Sequence, residues 1–304
     1  MIQHSLRIFY GVLVLCIASR SPILAQEAPS SNRPLQIYIT ASGKDDSSPI
    51  PTLSKLSGAI DKQAAQLISL RSASADKMRF AVLVDASNSE NMQSASITEA
   101  AVQLFQGLLE HGNEGYLLVF NEQVITSSKP LQLSEVRQAL ESGVRQAHEC
   151  AKPCGGSAIN DAIALASQKT LNKHENPETP RRVIFLISDG DDNASKIYLG
   201  EAEDIAIREG VAIFSLQTGT FEMPSAEARH ARRFMELASL DTGGQTFRPK
   251  RVEDGVPLLL EAIQKQWVLG IALPQVPDQK LHALSIKSSE KNVQISAPAR
   301  IPLE

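Results

Sequence analysis

The chain has no basic stripe, no long apolar run and almost no cysteine, and each lack removes a class of protein. Its 304 residues carry a formal charge of −4, with acids and bases spread evenly. A nucleic-acid surface needs concentrated Lys and Arg to neutralise phosphates, so no such partner is expected. The apolar run at residues 8–18 is 11 residues long, whereas a spanning helix takes about 20. No later segment is apolar enough to span a bilayer, so no membrane span is expected beyond the first 25 residues. Neither a G-x-S-x-G elbow nor an H-E-x-x-H pair occurs, and the histidines after residue 25 (His111, His148, His174, His230 and His282) are scattered. They read as surface residues, and the chain is not expected to be an enzyme of those kinds. There are no internal repeats and no low-complexity tract.

What is present begins with a leader. His4 and Arg7 form a polar start, residues 8–18 an apolar core, and Ile23-Leu24-Ala25 a small-residue cleavage site before Gln26. Residues 1–25 therefore read as a signal peptide, with an uncleaved anchor as the rival, and the protein is expected in the periplasm or outside the cell. They hold Arg7 and Arg20 and no acid, so their removal leaves 28 bases against 34 acids. Export changes the meaning of cysteine, because an oxidising compartment favours disulfides. Cys16 lies in the leader, leaving Cys150 and Cys154 as a pair. Four residues apart, they can bridge across a tight turn. The alternative is a metal site with His148, but a closed zinc site needs a fourth ligand and none stands nearby.

Residues 26–76 read as a linker followed by strand-like segments at 35–39 and 65–70, with a Gly-, Ser- and Pro-bearing loop at 42–51 between them. From residue 77 the pattern changes. Residues 80–84 and 183–187 are continuously apolar, as strands buried on both faces are. Between and after them strand and helix patterns alternate. Strands are expected at 115–120, 124–126, 211–216 and 244–247. Helices are expected at 97–109, from 134, and at 157–171, 196–209, 226–240 and 252–266. This alternation predicts an α/β fold with a doubly wound, mostly parallel sheet over 77–265. Residues 266–304 carry strands at 268–273, 281–287 and 293–295 with no helices between them. Paired with the strands near 35 and 67, they would build a small β module from the two terminal extensions.

The chemistry sits at strand ends. Asp85, Ser87 and Ser89 form a D-x-S-x-S pattern directly after the first buried strand, and Asp189 follows the second in the segment 188–193, Ser-Asp-Gly-Asp-Asp-Asn. Ligands of open α/β sheets bind outside the carboxyl ends of the strands, where strand order reverses. Ser157, after Gly155-Gly156, can bring a hydroxyl to the same crevice, although alone it reads equally as a helix N-cap. Two carboxylates and three hydroxyls are hard oxygen donors. They suit Mg²⁺, with Mn²⁺ and Ca²⁺ as rivals, and disfavour soft metals. Glu90, Asp191 and Asp192 read as solvent-facing acids.

These residues carry a resemblance. In order and context they resemble the von Willebrand factor A family, whose metal-ion-dependent adhesion site (MIDAS) uses D-x-S-x-S, a later Thr and a later Asp. The resemblance covers 77–265 and implies a Rossmann-like domain. It also implies that Asp85, Ser87, Ser89, Ser157 and Asp189 hold a divalent metal. The flanking strand-rich segments, Gly155-Gly156-Ser157 and the 188–193 turn are similar to a bacterial secreted "VWFA-related" group typified by Acidobacteria. Ser157 departs from the usual Thr, and Glu90 stands where Gly or an apolar residue is usual.

The resemblance implies an exported binding or adhesion module that reads a protein partner's Asp or Glu carboxylate through its metal. Two rivals remain. One is a structural assembly protein that binds by strand addition at its β module, with a metal that only holds loops. The other is a metal-assisted hydrolase with Glu90 or Asp191 as its base.

Overall fold

A computed structural model describes residues 34–43, 49–149, 155–174, 181–219, 225–273 and 278–303, the side chains of 91–94 excepted. The leader and both cysteines, Cys150 and Cys154, lie outside the described residues, and with them the expected cleavage and disulfide.

In chain order the strands begin with β1 (Leu35–Gly43), β2 (Leu56–Ile60), β3 (Gln63–Ala65), β4 (Leu67–Ser72) and β5 (Met78–Asp85). After helix α1 (Ser94–Leu109) come β6 (Glu114–Phe120) and β7 (Val124–Thr126), then α2 (Leu133–His148) and α3 (Ile159–Leu165). Next are β8 (Arg181–Ser188), α4 (Leu199–Arg208), β9 (Val211–Gln217), α5 (Ala226–Asp241), β10 (Thr246–Phe247) and α6 (Gly255–Gln264). The chain closes on β11 (Trp267–Ile271), β12 (Asp278–Ser288), β13 (Val293–Ser296) and β14 (Arg300–Leu303).

The central sheet runs β10-β9-β8-β5-β6-β7, parallel except for the β7 edge. Every residue of β5 and β8 is buried, which explains why both read as unbroken apolar runs rather than alternating ones. Successive side chains of β5 go to opposite faces. Phe80, Val82 and Val84 join a core with α1, α2 and α6, while Ala81 and Leu83 join another with α3, α4 and α5. From β5 the chain goes first to β6 on one side and later to β8 on the other. The reversal of strand order falls between β5 and β8, and their carboxyl ends carry Asp85 and Ser188-Asp189.

The terminal strands build a sandwich of two four-stranded sheets, β13-β1-β11-β4 and β14-β12-β2-β3. Ile37, Ile39, Leu269 and Ile271 of one sheet and Ile60, Leu284, Ile286, Ile301 and Leu303 of the other share one apolar core. The tail strand β11 lies between β1 and β4, the two segments expected to receive it. β2 and β14 escaped the sequence reading: β2, LSGAI, carries a glycine and a half-exposed pattern, and β14 is only four residues with a proline.

Arg181, at the start of β8, joins sandwich to sheet. It is buried, its guanidinium lies 5.4 Å from the Tyr38 ring centroid, and it donates to the carbonyls of Ile263 and Ala73 and to Gln266 Oε1. Tyr38 in turn donates to Asp76. Ser72 of β4 pairs with Trp267 of β11, and the Ala73 N–H donates to the Gln266 carbonyl at 2.9 Å. The central domain therefore leaves and re-enters the sandwich at adjacent points. Among the described residues, no helix is long and apolar enough to cross a membrane.

Three helices begin later than their sequence pattern predicts, α6 because Val252–Asp254 form a 3₁₀ turn ahead of Gly255. α4 starts at Leu199, not 196, because the Asp161 carboxylate takes the N–H groups of Lys196 and Ile197. Side-chain acceptors of this kind compete with the helical ladder. α3 starts at Ile159, not 157, and passes into a π-helical turn at Ala166–Thr170, where the Leu171 N–H reaches back to the Ala166 carbonyl.

Candidate metal centre

The crevice is built around Asp85. The last residue of β5, it is 2% exposed, and every hydrogen-bond partner shown for it is neutral. Oδ1 accepts the Ser87 N–H at 2.9 Å, and Oδ2 accepts the hydroxyls of Ser157 at 2.8 Å and Ser188 at 2.6 Å. Burial pushes its pKa up, opposed by these hydrogen bonds. The turn after β5 folds back so that Ser87 Oγ lies 3.1 Å from Ser89 Oγ; Ser87 is buried and Ser89 exposed.

Ser157 does not cap a helix. The N-cap of α3 is Ala158, and the Ser157 hydroxyl is spent on Asp85. Its loop is pinned from three sides. Glu122 Oε1 accepts the N–H groups of Gly155 and Gly156, each at 3.3 Å, and the Asn88 N–H donates to the Gly155 carbonyl at 3.2 Å. Asn193 Oδ1 accepts the Ser157 N–H at 2.9 Å, while the Asn193 N–H returns to the Ser157 carbonyl. The turn after β8 is thereby tied to the loop that delivers Ser157.

Asp189 is half-buried, directly follows Ser188 and lies near enough to Glu90 for its charge to act there. Its Oδ1 accepts the Asp191 N–H at 3.0 Å, and its carbonyl accepts from Gln217. Gly190 takes φ +89°, and an added Cβ there would meet the Ala231 carbonyl at 2.8 Å, so only glycine lets the chain turn this tightly. Asp191 is exposed, as the sequence implies, but Asp192 is not a free acid: it accepts the Asn160 N–H at 2.8 Å and the Ser195 hydroxyl at 2.7 Å.

Glu90 corrects the sequence reading more sharply. It is 3% exposed instead of facing solvent. Oε1 accepts the Thr218 hydroxyl, and burial followed by the charges of Asp189 and Asp85 pushes its pKa up to about 8, opposed by hydrogen bonds from Thr218 and the Asp189 backbone. The 3₁₀ turn at Asn88–Gln93 carries it inward. Ser188, Thr218, Asn193 and Glu122 were not picked out from the sequence as site residues. Ser188 and Thr218 stand at the ends of β8 and β9, as Asp85 ends β5, and that shared strand-end position was the signal available for them.

The residues present fit a divalent cation. Among the described residues the hydrogen-bond partners of this buried carboxylate are all neutral, and such burial is costly unless a countercharge is supplied. Hydroxyls that donate their hydrogens to Asp85 keep lone pairs for an ion. Among the described residues, no three His, Cys, Asp or Glu side chains are gathered closely enough to hold a metal by themselves. An ion in this crevice would therefore rely on hydroxyl oxygens beside its two carboxylates, a hard donor set.

A doubly wound α/β domain with carboxylates and hydroxyls gathered at its switch point is the class that fold and site define together. Within it, the chain belongs to the von Willebrand factor type A domain family, whose model matches residues 80–265. A search of curated proteins gave no match. Among solved structures, the chain is similar to the conserved hypothetical protein BatB of Bacteroides thetaiotaomicron, at 18% identity over 62% of this chain and 98% of that one, TM-score 0.48. It is also similar to a von Willebrand factor type A protein of Catenulispora acidiphila, at 12% identity over 91% and 74%, TM-score 0.46. A third likeness is to proximal thread matrix protein 1 of the mussel byssus with a zinc-occupied MIDAS motif, at 14% identity over 66% and 48%, TM-score 0.45. The family assignment rests on the family model, not on these likenesses.

Proposed function

We propose that the protein is an exported, non-enzymatic binding module that holds one divalent cation and uses it to recognise an acidic group on a protein partner. Asp85, Ser87, Ser89, Ser157 and Asp189 would hold the ion. Hard oxygen donors favour Mg²⁺, with Mn²⁺ and Ca²⁺ as alternatives. The ion supplies a positive centre with room for an incoming carboxylate; the chain supplies the cradle and its rigidity. The observation that carries the reading is the convergence of the Ser157 and Ser188 hydroxyls on the buried Asp85 carboxylate. Three segments far apart in sequence meet there around a carboxylate whose hydrogen-bond partners among the described residues are all neutral.

A hydrolase is less well supported. Of its two candidate bases, Glu90 is buried with one oxygen held by Thr218, and Asp191 is tied to Asn193. Binding through the sandwich has one observation in its favour: β4 is an edge strand and exposes Ile68. The test uses Mn²⁺-loaded protein and a peptide bearing a single Asp side chain. Displacement of metal-bound water by the carboxylate lowers the Mn²⁺ contribution to water proton relaxation, and the matched Asn peptide leaves it unchanged. Identical responses to both peptides would refute acid recognition. Partner capture that persists in chelator would move the binding surface to the sandwich.

A further inference from the structure

We infer that a cavity between the central domain and the sandwich is a binding site for a small organic acid with a carboxylate head and an apolar body. The cavity has a volume of about 290 Å³, at the lower end of the range for small-molecule pockets. On one side it is walled by β1, Pro298 and β14 of the sandwich, and on the other by the end of α4 and the start of β9. Aliphatic side chains from both sides, among them Leu35, Ile37, Ile207, Val211 and Ile301, make an apolar wall. Arg182 and Val211 stand at the amino ends of β8 and β9, whereas Asp85 stands at the carboxyl end of β5. The inference is therefore independent of the proposed metal site.

The polar part of the lining is basic. Among the described residues it comprises Lys173, Arg182, Arg208 and Arg300 against one acid, Glu209. Arg300 is matched within the fold by Asp204 and Glu203. Arg208 donates to the neutral carbonyl of Gln279 at 2.7 Å. Glu209 accepts the Lys173 N–H at 3.0 Å, and its charge also supports that of Arg182. Arg182 is buried and stands directly across from Arg79 on β5. Arg79 is buried as well, with Nε 3.2 Å from Glu114 and an Nη1 that has no partner among the described residues. Two guanidinium groups held side by side away from water repel each other, and their burial is costly without negative charge nearby. A bound carboxylate supplies that charge, in the planar geometry that guanidinium groups pair with best. The aliphatic wall rewards a hydrocarbon body for leaving water. A bare inorganic anion would leave that wall unused, and an uncharged lipid would leave the bases unanswered.

Octanoate is the probe, titrated in chelator so that no ion at the crevice competes for its carboxylate. Methyl NMR of the wild-type protein reads the position. The signals of Ile207, Val211 and Ile301 should shift, while that of Ile97, beside Asp85, should not. Octanol, with the same chain and no charge, should bind about tenfold more weakly, the worth of one charge-assisted hydrogen bond. Acetate, with the charge and no body, should leave the three methyl signals in place at the same concentration. Arg182→Gln should lose about tenfold in octanoate affinity. Should that variant fail to fold, Lys173→Gln, at a half-buried position, should lose severalfold. Equal affinity for octanoate and octanol overturns the inference, as do methyl shifts that spare all three residues. Octanoate affinity unchanged in the folded variant overturns it too.

Discussion

Asp189→Ala separates ion binding from folding more cleanly than any other change at the crevice. The carboxylate is half-buried, and the hydrogen bond shown for it is the local one from the Asp191 N–H, while the backbone contact to Gln217 survives substitution. Losing one such bond costs about 1 kcal/mol. Asp85 is a poorer choice, since its removal leaves the Ser87 N–H and two hydroxyls facing a buried gap. For a divalent ion, a carboxylate about 4 Å away contributes about 8 kcal/mol at an effective dielectric near 20, part of which the replacing water restores. Affinity should therefore fall by about a thousandfold or more. The assay is thermal melting with and without Mn²⁺. At an ion concentration of about 100 times Kd the wild-type protein gains about 2.7 kcal/mol, and a domain of this size shifts by roughly 2–4 °C per kcal/mol. The wild-type Tm should rise by about 5–10 °C in Mn²⁺. Asp189→Ala should melt within about 4 °C of wild type without the ion and show no rise with it. A full Mn²⁺ shift retained in folded Asp189→Ala would refute the reasoning.

Three further outcomes are expected. Arg181→Met should destabilise by about 3 kcal/mol, because the carbonyls of Ile263 and Ala73 and Gln266 Oε1 lose a buried donor; its Mn²⁺ affinity should be unchanged, since Arg181 lies at the opposite end of β8 from Ser188. Gly244→Ala should destabilise by about 3 kcal/mol or more by chemical denaturation, because its Cβ would lie 1.9 Å from the Ile213 carbonyl oxygen. On the sandwich, His282 is held between Asp61 at 2.6 Å and Asp278 at 2.8 Å, and those hydrogen bonds raise its pKa. The protonated form is the one favoured by folding, so this stabilisation is complete below the unfolded value of about 6.5 and lost as pH rises through the higher folded value. Melting between pH 5.5 and 9 should show a decline that His282→Gln lacks; equal pH profiles would contradict it.

The sheet was legible because burial on both faces leaves an unmistakable mark: β5 and β8 read as apolar runs, β5 ending in Asp85 and β8 followed directly by Asp189. The strand-end positions of Asp85 and Asp189 followed from the same pattern. What stayed hidden was set by neighbours distant in sequence. Glu90 reads as a surface acid because nothing near it shows that Thr218 will meet it from the end of β9. Ser157 looks like a helix cap because the local pattern cannot reveal that Asp85 claims its hydroxyl. The start of α4 moved for a similar reason, since Asp161 lies on another helix. Short strands such as β14 carry too few residues for alternation to register at all.

The paired crossing between sandwich and central domain also has a mechanical meaning. Ser72 faces Trp267 across two neighbouring strands, and the Ala73–Gln266 hydrogen bond clamps the two connections together. A pull applied between residues 35 and 303 is carried by the ladders of the sandwich. The central domain hangs outside that load path, like a branch tied at its base. Tension along the chain would shear β1 against β11 before it reached β5 or β8. A pull exerted through the crevice runs the other way, down the central strands and into the clamp. The cradle around Asp85 thus lies off the path of tension along the chain, while a load applied at the crevice itself would run into the clamp.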